Sequence, residues 1–203
     1  MGNKTIGLFL ASVLSLALVV GCNELGKVDQ GRVIEFDKEK KTLTFIQDKK
    51  AEPGKPDYNT LPPHTYTLPA DPAEMGPEPK AGYRLKLDTD KNEIIIFDKA
   101  SQSFKTITFQ LVEMKKNVAK DDPLVYDKQA DKPKKFPVID KEKKTVTIYS
   151  GRQKLLVVFS VPEEHINLEL KAWDSGDEVR VYYHQEGKAQ RVMNISKTDI
   201  FKK

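Results

Sequence analysis

Two ten-residue passages of this chain are nearly the same: Asp37 to Ile46 reads DKEKKTLTFI, and Asp140 to Tyr149 reads DKEKKTVTIY. They share seven positions and exchange apolar residues at the other three. Further blocks follow in the same order. Tyr66-Thr67-Leu68-Pro69 parallels Phe159-Ser160-Val161-Pro162, and Gly82 before Arg84-Leu85-Lys86-Leu87 parallels Gly176 before Glu178-Val179-Arg180-Val181. A chain that repeats itself at this spacing is expected to build two related units from one plan.

The pattern inside the blocks is a strand pattern. Leu43 and Phe45 alternate with Thr42 and Thr44, and Val146 and Ile148 alternate with Thr145 and Thr147, a period of two in β-branched residues. The DKEK runs then become solvated hairpin turns. In the second copy strands are expected over 136–140, 145–150, 154–161, 178–184 and 188–195. The spacer 162–173 carries Ile166, Leu170 and Trp173 at helical spacing, yet Ile166, Leu168 and Leu170 also alternate as a strand does.

Five strands with a spacer after the third is the order of a small OB-type barrel. The expected fold is therefore mainly β with little helix: two tandem OB-like five-stranded barrels from an internal duplication, over 31–114 and 136–203. The linker 115–135 is rich in Lys and Asp and contains Pro123 and Pro133. Leu155 to Phe159 is apolar on both faces, as in a strand covered on both sides. The first copy differs by a long insertion, Gln47 to Pro63, whose Tyr58 and four prolines could present a recognition surface.

Location is written near the start. Lys4 precedes an uncharged run, Ile6 to Val20, and then Gly21 and Cys22, the only cysteine. This is the three-part plan of an exported leader, and the run is too short and interrupted for a membrane span. Val19-Val20-Gly21-Cys22 resembles the bacterial lipoprotein signal, with Val19 where that family prefers Leu. The resemblance implies a leader over 1–21, acyl chains on Cys22, and a tether over 22–30. Asn23, rather than Asp, after the cysteine implies the outer membrane over the inner, facing the periplasm. The passages Cys22 to Val28, Asp71 to Pro77 and Arg191 to Ile195 are similar to a domain-of-unknown-function family of bacterial lipoproteins of about this length. That resemblance supports the location and implies no activity, catalytic residue or cofactor.

With Cys22 acylated, no thiol remains for a disulfide, a nucleophile or a zinc site. Without residues 1–22 the charge becomes (34 − 1) − 30 = +3, and cations interleave with acids. A nucleic-acid footprint is missing. No serine-nucleophile elbow, zinc-protease motif or phosphate loop is present. Asp88, Asp90 and Asn92 resemble the start of a calcium loop, but Glu93 stands where glycine is required and Lys99 where glutamate is. A polar turn is expected instead.

The expectation is a non-enzymatic, lipid-anchored envelope protein that needs no cofactor. It would bind the membrane through Cys22 and an envelope protein through Tyr58, Thr44, Tyr66, Tyr149 and Phe159, the last four on the second and third strands, where OB-type barrels hold ligands. The alternative is a copper- or small-molecule-binding lipoprotein, with His184, Met193 and Trp173 as weak candidates for a soft metal.

Overall fold

The computed structural model describes residues 25–52 and 55–198. The strands are β1 (Lys27–Asp37), β2 (Thr42–Gln47), β3 (His64–Thr67), β4 (Arg84–Asp88), β5 (Glu93–Asp98), β6 (Ser103–Thr108), β7 (Gln110–Lys116), β8 (Tyr126–Asp127), β9 (Lys132–Pro133), β10 (Val138–Asp140), β11 (Thr145–Ser150), β12 (Leu155–Ser160), β13 (Glu178–Tyr183) and β14 (Arg191–Asn194). Among the described residues, helix is confined to a 3₁₀ turn at Pro72–Glu74 and two single turns, α1 (Glu163–Ile166) and α2 (Leu170–Trp173). All five strands expected in the second copy form, and the ambiguous spacer becomes α1 and α2.

One turn design recurs six times. The last residue of a strand opens each turn: Asp37, Asp88, Asp98, Asp127, Asp140 or Ser150. The fifth residue takes a left-handed backbone, with φ of 53° at Lys41, 55° at Asn92, 51° at Gln102, 48° at Asp131, 52° at Lys144 and 50° at Lys154. The opening side-chain oxygen, a carboxylate in all but Ser150, accepts backbone N–H groups two or three residues on, as Asp37 does from Glu39 at 3.0 Å and Lys40 at 2.9 Å. Asp88 serves Asp90 and Lys91 in the same way, so the calcium-like run is a self-capped turn. The repeated DKEK passages are two instances of this design.

The strands form four open antiparallel sheets: β14-β13-β1-β2-β3, β10-β11-β12-β7, β4-β5-β6 and β8-β9. The expected OB-like barrels are not there, because no sheet closes on itself. The physical reason lies in β13 and β14. Instead of returning to β10–β12, they extend the sheet of the first copy, with β13 paired along β1 from Lys27↔Tyr183 to Arg32↔Glu178. The free side of β12 is taken by β7, from Leu155↔Lys116 to Ser160↔Gln110. The 115–135 stretch holds the end of β7 and the β8–β9 hairpin.

Two apolar layers follow. On one side of the five-stranded sheet lie Val33, Leu43, Phe45, Tyr66, Val179, Val181 and Val192. The larger cluster brings Ile34 and Ile46 together with Ile94, Phe97, Val146, Val157, Phe159 and Trp173 from the other sheets and α2. Leu155 to Phe159, expected to be covered on both faces, lies between that cluster and a third one, where Leu156 meets Val118 and Val125.

At the joint of these layers two glycines touch. The Val33 carbonyl accepts from Gly82 N at 3.1 Å, and Val33 N donates to Asp177 O at 2.9 Å. A Cβ on Gly176 would overlap the Val33 carbonyl, and one on Gly82 would meet Gly176 N at 2.6 Å. These are the equivalent glycines of the two repeats. Each is required because backbone passes against backbone.

Candidate functional site

Alternation along β1 sends Asp29 to the same side as Val33, so a carboxylate enters an apolar layer at 8 % exposure. It is supplied with donors from three other strands. The Tyr66 hydroxyl on β3 donates to Oδ2 at 2.6 Å, and His64 Nδ1 lies 2.8 Å from the same oxygen. Gln47 Nε2 on β2 donates to Oδ1 at 3.3 Å, and the Tyr183 hydroxyl on β13 stands 3.5 Å away. A buried charge is tolerable only when its lone pairs are satisfied in this way.

Rings pack around the carboxylate. Phe45 stacks on Tyr66 at 5.6 Å with planes 4° apart, and Tyr66 meets Tyr183 at 5.1 Å. Burial, and then the Asp29 carboxylate, drive the Tyr66 phenol far above its usual pKa, so it acts as a donor throughout. His64 is different, because its side chain is a third exposed. The carboxylate at Nδ1 fixes the orientation of this imidazole at the surface. Among the described residues, no group of three or more His, Cys, Asp or Glu could hold a metal ion.

A second place is the outer edge of the four-stranded sheet. β7 pairs only with β12, and six of its seven residues are exposed. Leu111 is 39 % and Val112 59 % exposed, and the bulge between Glu113 and Leu111 leaves Val112 without a partner. Such an edge offers a row of free N–H and C=O groups. A third place is a groove of about 370 Å³ between the β5–β6 hairpin and α2, floored by Tyr83, Ile96, Phe97 and Leu168 and rimmed by Lys105 and Glu169.

The residues expected to form a binding surface do not share one. Tyr58 is buried: its ring lies under Arg32 at 4.9 Å, and its hydroxyl accepts from Arg32 Nη2 at 3.1 Å. The long insertion folds inward through this side chain, with Asp48 holding Asp57 N at 2.8 Å. Tyr66 and Phe159 are core residues in different layers. Thr44 and Tyr149 are half-buried; Thr44 bonds Thr65 at 2.9 Å, and Tyr149 donates to Val118 O at 3.1 Å.

The soft-metal trio is likewise dispersed. Trp173 is fully buried against Phe159, while His184 sits at the surface beside Tyr182. Met193 pairs with Arg180, four residues along β13 from His184, which places the two about 13 Å apart. Cys22 lies outside the described residues. Sequence reasoning missed Asp29, whose partners come from three other strands. The available signal was an acidic residue four places before Val33, in the row that the strand buries.

The family described as a domain of unknown function (DUF4881) matches residues 24–203, and the chain belongs to it. No curated protein and no solved structure matches the chain.

Proposed function

We propose that this member of the DUF4881 family is a non-enzymatic, lipid-anchored protein of the bacterial cell envelope that binds another protein. Location rests on the run from Ile6 to Cys22, which has the plan of a lipoprotein signal and leads to an anchor facing the periplasm, with the outer membrane favoured by Asn23. β1 begins at Lys27, so four residues separate the acylated cysteine from the fold. No helix of the described residues is long and apolar enough to cross a membrane.

The observation that carries the binding reading is the open edge of β7, where Leu111 and Val112 are uncovered beside unpaired backbone. An extended segment of a partner adds there as a fifth strand, with backbone hydrogen bonds supplying affinity and Val112 supplying an apolar contact. A photocrosslinker at position 112, used in cells that make the protein, is expected to trap one partner. Leu111→Lys in the same crosslinker-bearing chain blunts the edge and removes the product. An unchanged yield with Leu111→Lys, or no product at all, sinks the reading. Mass spectrometry of the membrane-extracted chain tests the anchor separately, because a free Cys22 thiol contradicts it. The groove beside Tyr83 favours a second reading, a small-molecule-binding lipoprotein, which soaking with a fragment set at that groove would reveal.

A further inference from the structure

Three exposed apolar side chains gather where the chain enters the fold. Leu25 is 94 % exposed, Val28 55 % and Tyr182 36 %. Val28 and Tyr182 are paired residues on β1 and β13, so their side chains are neighbours on one face. The Tyr182 ring also lies directly over the Gly26 backbone, where a Cβ would overlap it. Among the described residues, Val28 and Tyr182 are left uncovered at this end of the sheet. Here the apolar layer lies on the opposite side, where Val179, Val181 and Tyr183 point.

Cations border the patch. Lys27 is exposed at the same end of β1, on the opposite face, and Arg180, one step along the face from Tyr182, is exposed and held by Gln30 Oε1 at 2.9 Å. His184 is on the other side, its ring 5.4 Å from that of Tyr182. Apolar side chains, a tyrosine and flanking cations are the composition that suits a lipid headgroup region.

The anchor supplies the occupant. Five residue steps from Cys22 to Lys27 reach at most about 17 Å, so acyl chains on Cys22 hold this end of the sheet against the bilayer. We propose that this end is the membrane-seated surface of the protein. Leu25, Val28 and Tyr182 enter the interface, and Lys27 and Arg180 meet the phosphates of anionic lipid. The inference rests on the lipid-anchor reading and adds an orientation to it: β1 and β13 stand with these ends on the membrane.

The test uses Tyr182→Trp in the chain coupled through Cys22, its only cysteine, to a maleimide lipid in phosphatidylglycerol–phosphatidylethanolamine vesicles. Trp173, fully buried, gives a constant background and reports that the fold is intact. The new indole is expected to shift to shorter wavelength and to lose most of its emission to lipids brominated high on the acyl chain. Leu25→Asp with Val28→Asp is expected to abolish both effects while coupling persists; Leu25→Asp alone, ahead of β1, gives a partial loss without touching the sheet. An indole that stays open to aqueous iodide on coupled vesicles overturns the proposal. So does a vesicle-free dimer in which the indole is already shielded, since a second copy then covers the patch. The mass of Cys22 in protein from its own membranes tests the anchor independently of all these readings.

Discussion

Gly176→Ala places one methyl group where three backbone segments meet, and its cost can be worked from the geometry. The new Cβ overlaps the Val33 carbonyl and lies 3.0 Å from Gly82 N. Neither neighbour is the end of a flexible side chain, so relief requires β1 or the Gly82 strand entry to move. Both are hydrogen-bonded in place through Val33. Overpacking against rigid surroundings costs about 3 kcal/mol, the upper part of the usual range. For a domain of this size that lowers the melting temperature by about 8 °C. Gly151→Ala is the control: its Cβ would meet only side chains at ordinary contact distance, Lys120 at 3.5 Å and Tyr149 at 3.6 Å, and the change should stay within about 0.5 kcal/mol. Thermal and urea melts followed by far-UV circular dichroism measure both. Gly82→Ala crowds the same space, so the double variant should lose less than the sum of the single losses. A Gly176→Ala protein that melts with the parent would refute the claim that these segments are in rigid contact.

Tyr66→Phe removes the shortest bond to buried Asp29 and should cost about 1–2 kcal/mol, whereas Asp29→Ala strands Tyr66 and His64 together and should cost about 3–4 kcal/mol; strict additivity in a urea-melt cycle would contradict the network. Lys41→Gly relieves a left-handed backbone at φ 53° and should stabilise by about 0.5–1 kcal/mol after the entropy of the freer unfolded chain is subtracted; a lower urea midpoint would count against the turn reading. Acid should weaken the fold. Asp37 and Asp140 are held below the ordinary carboxylate pKa chiefly by backbone N–H groups of Lys40 and Lys143, Asp88 by the Lys86 side chain, and Asp98 by the Ser101 hydroxyl. Lowered carboxylate values mean that their stabilisation is complete above the unfolded pKa of 3.8 and is lost as pH falls through the folded values. His165, lowered chiefly by burial and then by Lys105, is kept neutral, so its share of the loss begins as pH falls below its unfolded value of 6.5. A urea midpoint that rises on acidification from neutrality would show the sign to be wrong.

Local features were legible because local chemistry dictates them. The alternation of Thr145 to Ser150 and the Asp140 turn are settled by pleat and by one carboxylate, and both form where the pattern places them. Pairing between strands was not legible. Nothing in Glu178 to Tyr183 states whether that strand returns to β12 or crosses to β1, since both edges need the same backbone bonds. The site failed to appear for a related reason. Tyr58, flanked by prolines in a long insertion, reads as a surface aromatic until Arg32, 26 residues earlier, is seen to bond it. Asp29 likewise becomes a buried centre only once β2, β3 and β13 are beside β1.

The pairing of β1 with β13 also sets an order of events during synthesis. The first strand made waits for a partner whose closest paired residue, Glu178 opposite Arg32, is 146 positions later in the chain. Until then β1 has a bare edge along Lys27 to Arg32, and Asp29 lacks the Tyr183 hydroxyl. Contacts this distant in sequence make folding slow, because the loop must close before the pairing stabilises it. A chain that stops short of residue 178 therefore retains the exposed strand and is prone to aggregate, while the last strands, β13 and β14, act as the closing step for the whole molecule.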